Sequence, residues 1–124
     1  MTAIGRRIWA IAEGYIPPAS TGDSREMTSH ETVCILNAGD KPAHVEITIY
    51  FADRGPVGPY KFEVGAQRTR HLRFNDFKDP APVPVNTDFS STITSDVPIV
   101  VQHTRLDSRQ AALALLSTMA FPGD

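Results

Sequence analysis

The sequence predicts an all-β protein, a single-domain eight-stranded antiparallel β-sandwich, and three observations carry that expectation. Val45, Ile47, Ile49 and Phe51 alternate with His44, Glu46, Thr48 and Tyr50, which is the period-2 pattern of a half-buried strand. Turn-forming runs such as NAGDKP, ADRGPVGP and GAQ recur between apolar segments, at the spacing of short strands in a sandwich or barrel. No long amphipathic helix, βαβ rhythm or repeat of constant period competes with that pattern.

Taken in order, RRIWAIA (6–12) reads as a short strand that EGYIPP ends, and the following ASTGDSREMTS (19–29) is polar enough to be a mobile loop. HETVCILN (30–37) is a more fully buried strand, and NAGDKP would turn it into a hairpin with HVEITIYF (44–51). ADRGPVGP breaks that strand. YKFEV (60–64) resumes with Tyr60, Phe62 and Val64 facing one way, and GAQ leads into RTRHLRF (68–74). The alternating prolines of NDFKDPAPVPVNTD (75–88) cannot sit inside a sheet, so this segment is expected to be a long surface connection. FSSTITS (89–95) and IVVQHTRL (99–106) are the next two strands. ALLSTMAF (114–121) closes the domain as a strand, although SRQAALALL contains good helix formers and a single helical turn over 108–112 is the alternative.

With 124 residues, 41% hydrophobic and 21% charged, the chain suits one domain over 1–124 with a single core. A formal charge of −2 provides no overall electrostatic footprint for nucleic acid or anionic lipid. Cys34 is the single cysteine, which excludes an intrachain disulfide and reads as a buried thiol in a reducing cytoplasm. No apolar run approaches the roughly 18 to 20 residues of a membrane span, and the N-terminal apolar segment is too short for a signal peptide. A soluble cytoplasmic protein is expected.

Signals for chemistry are sparse. His30, His44, His71 and His103 show no local ligand-pair spacing, so no metal site is expected. There is no GxSxG elbow, SxxK motif or Gly-rich phosphate loop, and Asp76 and Asp79 lie in a proline-rich turn region. Neither catalytic residues nor a cofactor follow from the sequence. In RTRHLRF, Arg68 and Arg70 alternate with His71 and Arg73 on opposite faces. That split favours a charged edge strand that resists aggregation over nucleic-acid binding by Arg68, Arg70 and Arg73.

Trp9 can stack on the apolar face of a sugar or cover a small ligand, or simply belong to the core or an interface. Near the C-terminus, His103 and Arg105 share a strand face that Asp107 continues if the strand persists. Asp107 also stands two residues from Arg109, close enough to orient its guanidinium toward a carboxylate, phosphate or sugar hydroxyl. A salt-bridged turn or a subunit contact explains the same cluster.

The stretches WAIAEGYIPP, SHETVCILNAGD, HVEITIYFAD, PVGPY, RFNDFKDPAPVP and VPIVVQHTRLDSRQAALALLST resemble the sensory rhodopsin transducer family. The resemblance covers almost the whole chain from Gly5 to Thr118 and is weakest in the loop ASTGDSREM and after Thr118. It implies an eight-stranded β-sandwich that assembles as a homotetramer and relays a signal from a membrane rhodopsin at its cytoplasmic face. It also implies a small-molecule module, for sugars or related metabolites, with Trp9 in the first strand and a DxR signature at Asp107 and Arg109. Glu13, His30, His103 and Arg105 stand in the matching blocks and complete the candidate ligand set. A DNA-binding regulator is the weakest of the three functional readings.

Overall fold

The computed structural model describes residues 4–124 as strands β1 (Arg6–Tyr15), β2 (His30–Asn37), β3 (Ala43–Phe51), β4 (Val57–Val64), β5 (Arg68–Arg73), β6 (Asp88–Asp107), β7 (Ala114–Met119) and β8 (Phe121–Pro122). Single 3-10 turns occur at Arg25–Met27 and Phe74–Asp76. All pairings are antiparallel. One sheet has the order β4-β3-β6-β1-β8, and β6 continues into a second in which β2 and β7 flank it and β5 lies outside β2. Among the described residues no helix is long and apolar enough to cross a membrane.

The predicted strands 89–95 and 99–106 are one. Pro98, which cannot donate to a ladder, lies between the two predicted segments where β6 changes partners. Pairing with β3 ends at Ser95, and pairing with β2 starts at Val100. A missing donor costs little at that corner, so a 20-residue strand can serve both sheets.

The expected hairpin between 30–37 and 44–51 does not form. β2 pairs with β5 and β6, whereas β3 pairs with β4 and β6, so NAGDKP carries the chain from one sheet to the other. The buried Asn37 side chain replaces the hairpin ladder. Its Nδ2 reaches the carbonyls of Lys41, Val64 and Gly65 at 2.8, 3.1 and 3.1 Å, and its Oδ1 accepts from the Gly39 N–H. Backbone groups that would otherwise be buried unpaired are satisfied by one amide.

Inward-facing Trp9, Ile11, Val45, Ile47, Ile49 and Ile93 of the first sheet pack in one cluster with Val33, Ile35, Leu72 and Val101 of the second. This is the expected sandwich core. β1 extends beyond the predicted 6–12 to Tyr15, with a register shift between Ile11 and Gly14. Gly14 is required there, because a Cβ would fall 2.6 Å from the Phe89 ring.

The connection 75–88 keeps its prolines out of the sheets but is not wholly on the surface. Phe77 and Val83 are buried, and the Phe77 ring lies 5.0 Å from each of Tyr60, Phe62 and Phe74. Two apolar plugs give a segment without ladder bonds a reason to stay docked. The polar loop 19–29 is likewise tethered: Thr21 N–H donates to the Ser108 carbonyl and Ser29 Oγ donates to that of Ala19. Residues 108–112 form no helical turn, and the expected strand 114–121 is split after Met119: β7 pairs with β6 in the second sheet, whereas Phe121 begins β8, which pairs with β1 in the first.

Candidate functional site

At one end of the sandwich the inner face changes from apolar to charged. The β2–β6 register places Val33 opposite His103 and Glu31 opposite Arg105, so both strands pass from aliphatic side chains to ionisable ones over one pleat. Glu31 is fully buried, and its side chain has 0% exposure. Its Oε1 accepts from His103 Nε2 at 2.5 Å. Its Oε2 accepts from Arg105 Nε at 3.0 Å, Arg105 Nη2 at 2.8 Å and the Tyr15 N–H at 2.7 Å. An isolated carboxylate at this depth would be prohibitively costly, and these four donors offset its desolvation.

From this anchor the charges run outward. Arg105 Nη1 is 3.6 Å from the exposed Glu13 carboxylate. The Tyr15 ring lies beside two guanidinium groups, 5.9 Å from that of Arg105 and 5.7 Å from that of Arg109, within cation–π range. Arg109 is held by Asp107, which accepts from its Nε at 3.0 Å, its Nη2 at 2.6 Å and its main-chain N–H at 3.1 Å. The Arg109 hydrogen bonds hold the Asp107 carboxyl below its usual range, and those same bonds raise the guanidinium pKa. Beside the pair is a cavity of about 550 Å³ lined by Asp107, Arg109, Gln110, Ala112 and Ala114. An oriented guanidinium at a cavity wall suits an oxygen-rich ligand.

The structure thus brings Glu13, His103, Arg105, Asp107 and Arg109 into one connected region and places Trp9 and His30 elsewhere. Trp9 is 5% exposed in the core, and its indole N–H is taken by the Arg6 and Ile99 carbonyls at 3.0 and 3.1 Å. It does not line the Asp107–Arg109 cavity. His30 begins β2 with its Nδ1 donating to the Thr28 carbonyl, and burial lowers its pKa. It lines a separate groove on the outside of the second sheet.

Arg68, Arg70 and Arg73 lie on β5, which pairs only with β2 and is therefore an edge. Arg68 donates to the Ala66 and Gln67 carbonyls, Arg70 to that of Glu63, and Arg73 to that of Arg25. They diverge rather than form one phosphate-tracking stripe. Among the described residues no three His, Cys, Asp or Glu side chains form a group able to hold a metal.

Two central residues escaped the sequence reading, Glu31 and Tyr15. Glu31 left a signal: it shares its parity with Val33 and Ile35, so the pattern placed a carboxylate on a face otherwise apolar. Tyr15 left none, because its role depends on β1 outlasting the predicted end.

Residues 4–122 match the family model described as ASRT, Anabaena sensory rhodopsin transducer. The solved structure of the Anabaena sensory rhodopsin transducer is 66% identical, with a TM-score of 0.74, and the match covers 82% of this chain and 99% of that one. The crystal structure of Thermotoga maritima 1070 is 32% identical with a TM-score of 0.86, covering 99% of this chain and 97% of that one. No curated protein matches the chain. With the family model spanning both sheets and the whole charged end of the sandwich, the chain belongs to the Anabaena sensory rhodopsin transducer family.

Proposed function

We propose that the chain is a non-enzymatic cytoplasmic adaptor that docks, as a homotetramer, on the cytoplasmic face of a membrane sensory rhodopsin and passes on its photosignal. The observation that carries this reading is the 66% identity over 99% of the Anabaena transducer. The mechanism is a population shift: illumination changes the receptor, and one docking or assembly state of the adaptor gains contact free energy over another. Apolar side chains left exposed along β7 support assembly. Cosedimentation with rhodopsin-containing membranes is expected to give affinities that differ at least about fivefold between light and dark, the scale of a coupling of about 1 kcal/mol. Equal capture in both conditions, or none in either, counts against the reading.

A second reading is favoured by the oriented Arg109 at its cavity: a binding module for a sugar or related metabolite. Asp107 and Arg109 would clamp the ligand, with Arg105 and His103 positioning the wall through Glu31 and with Glu13 at its outer edge. Trp9, being buried, would support β1 from behind instead of stacking on the ligand. A true ligand at a hundredfold excess over its Kd should add about 2.7 kcal/mol of stability. Arg109→Gln should abolish that gain. If no member of a broad sugar and metabolite panel raises the melting temperature of the unaltered protein, this module does not exist.

A further inference from the structure

We propose that the groove on the outer face of the second sheet is a separate site for a small oxyanion bearing two or more negative charges, of the phosphate-ester or polycarboxylate class. The register builds it. Thr32 lies opposite Arg73 on one side and Thr104 on the other, and Cys34 lies opposite His71, so hydroxyls, a thiol, an imidazole and a guanidinium share one outward surface. His30 enters from the start of β2 and Arg25 from the preceding loop, closing a groove of about 450 Å³. That volume suits a metabolite more than a polymer.

The groove is a set of donors with no carboxylate among its lining residues. Asp76, the nearest charge partner, is bound to Arg25 at 2.6 Å, and Arg25 in turn accepts the Arg73 guanidinium on its main-chain carbonyl at 2.8 Å. The loop and the edge strand are thereby held together with their cationic groups side by side. Burial and then Arg25 lower the Arg73 pKa against the opposing pull of Asp76 and Glu26, and burial, with Arg73 and Arg25, lowers that of His30 against the Thr28 carbonyl hydrogen bond and Glu31. Burial also pushes the Cys34 thiol up, so it stays neutral and adds no negative charge. Asp76 neutralises Arg25, whereas Arg73 makes no salt bridge among the described residues; its fork, with the Thr32 and Thr104 hydroxyls as direct donors, is what a polyanion would complement. Arg68 and Arg70 stand on the opposite parity of β5 and are not part of the lining.

The test is titration of the full chain with inorganic pyrophosphate and, in a second arm, citrate, followed by the imidazole C2–H resonances. Saturable shifts of His30 and His71, with His44 and His103 unmoved, are expected in at least one arm, and the tighter arm identifies the ligand class. Arg73→Gln and the exposed-site variant His71→Gln should each weaken binding about tenfold or more, and Arg68→Gln should leave it unchanged. No saturable shift in either arm would overturn the site, as would an equal loss in Arg68→Gln, which marks diffuse electrostatics. Displacement of pyrophosphate by a DNA duplex at lower phosphate concentration would assign the groove to nucleic acid and equally overturn it.

Discussion

Glu31→Ala is expected to destabilise the protein by about 3–5 kcal/mol, the cost of breaking a buried ion pair by deleting one partner. At this chain length that corresponds to a fall in melting temperature of roughly 10–20 °C. The variant leaves the His103 imidazole, with a side chain 2% exposed, and the Arg105 guanidinium, 13% exposed, facing an apolar void. It also strips the Tyr15 N–H of its acceptor. A second variant separates charge from packing. Replacing the three together, Glu31→Leu with His103→Leu and Arg105→Met, should recover most of the loss, because buried ionic groups exchanged as a set for apolar ones of similar volume are often neutral or better. Calorimetry at fixed protomer concentration checks both. A single Glu31→Ala variant within 1 kcal/mol of the parent would show that the carboxylate is not the anchor of this end of the sandwich.

Leu115→Glu combined with Met119→Glu is expected to dissociate the proposed assembly, weakening self-association at least about a hundredfold. β7 is an edge strand that pairs only with β6, and none of its residues is buried. Leu115 is 70% exposed, Met119 54% and, on the neighbouring face, Leu116 41%. A free edge with apolar side chains on both faces is an aggregation hazard unless another chain covers it. A second copy is the economical cover, since a symmetric contact uses each side chain twice. Neither substitution removes a contact within the protomer core, so circular dichroism and dilute-solution stability should not change. Sedimentation equilibrium decides: a parent protein that stays monomeric, or a double variant that assembles as the parent does, removes β7 from the interface.

The strands were legible because their period is local. HVEITIYF alternates over eight positions, and β3 carries the expected inward Val45, Ile47 and Ile49. Partner choice was not legible. NAGDKP has the composition of a hairpin turn, but composition reports only that the chain bends, and whether β2 meets β3 depends on contacts with β5 and β6 far along the chain. The continuity of β6 was hidden for a related reason: the strand turns the corner between sheets at Pro98, where a missing donor costs little. The core roles of Phe77 and Val83 were hidden within a proline-rich segment whose punctuation dominates any local reading.

The site divides along the same line. The Asp107–Arg109 pairing was readable because two residues on one turn meet whatever the rest of the chain does. The candidate ligand set lies in three places: Glu13, His103 and Arg105 extend the Asp107–Arg109 region, Trp9 supports the core, and His30 lines another groove. By itself the sequence determined the class of fold, the strand faces, the local clamp and the family, all of which rest on periodicity or on near neighbours. The tertiary structure alone decided that Glu31 would be the hub, since its side-chain partners lie 72 and 74 residues away. A buried charge is stable only where distant donors converge on it, and that convergence depends on how the sheets pair.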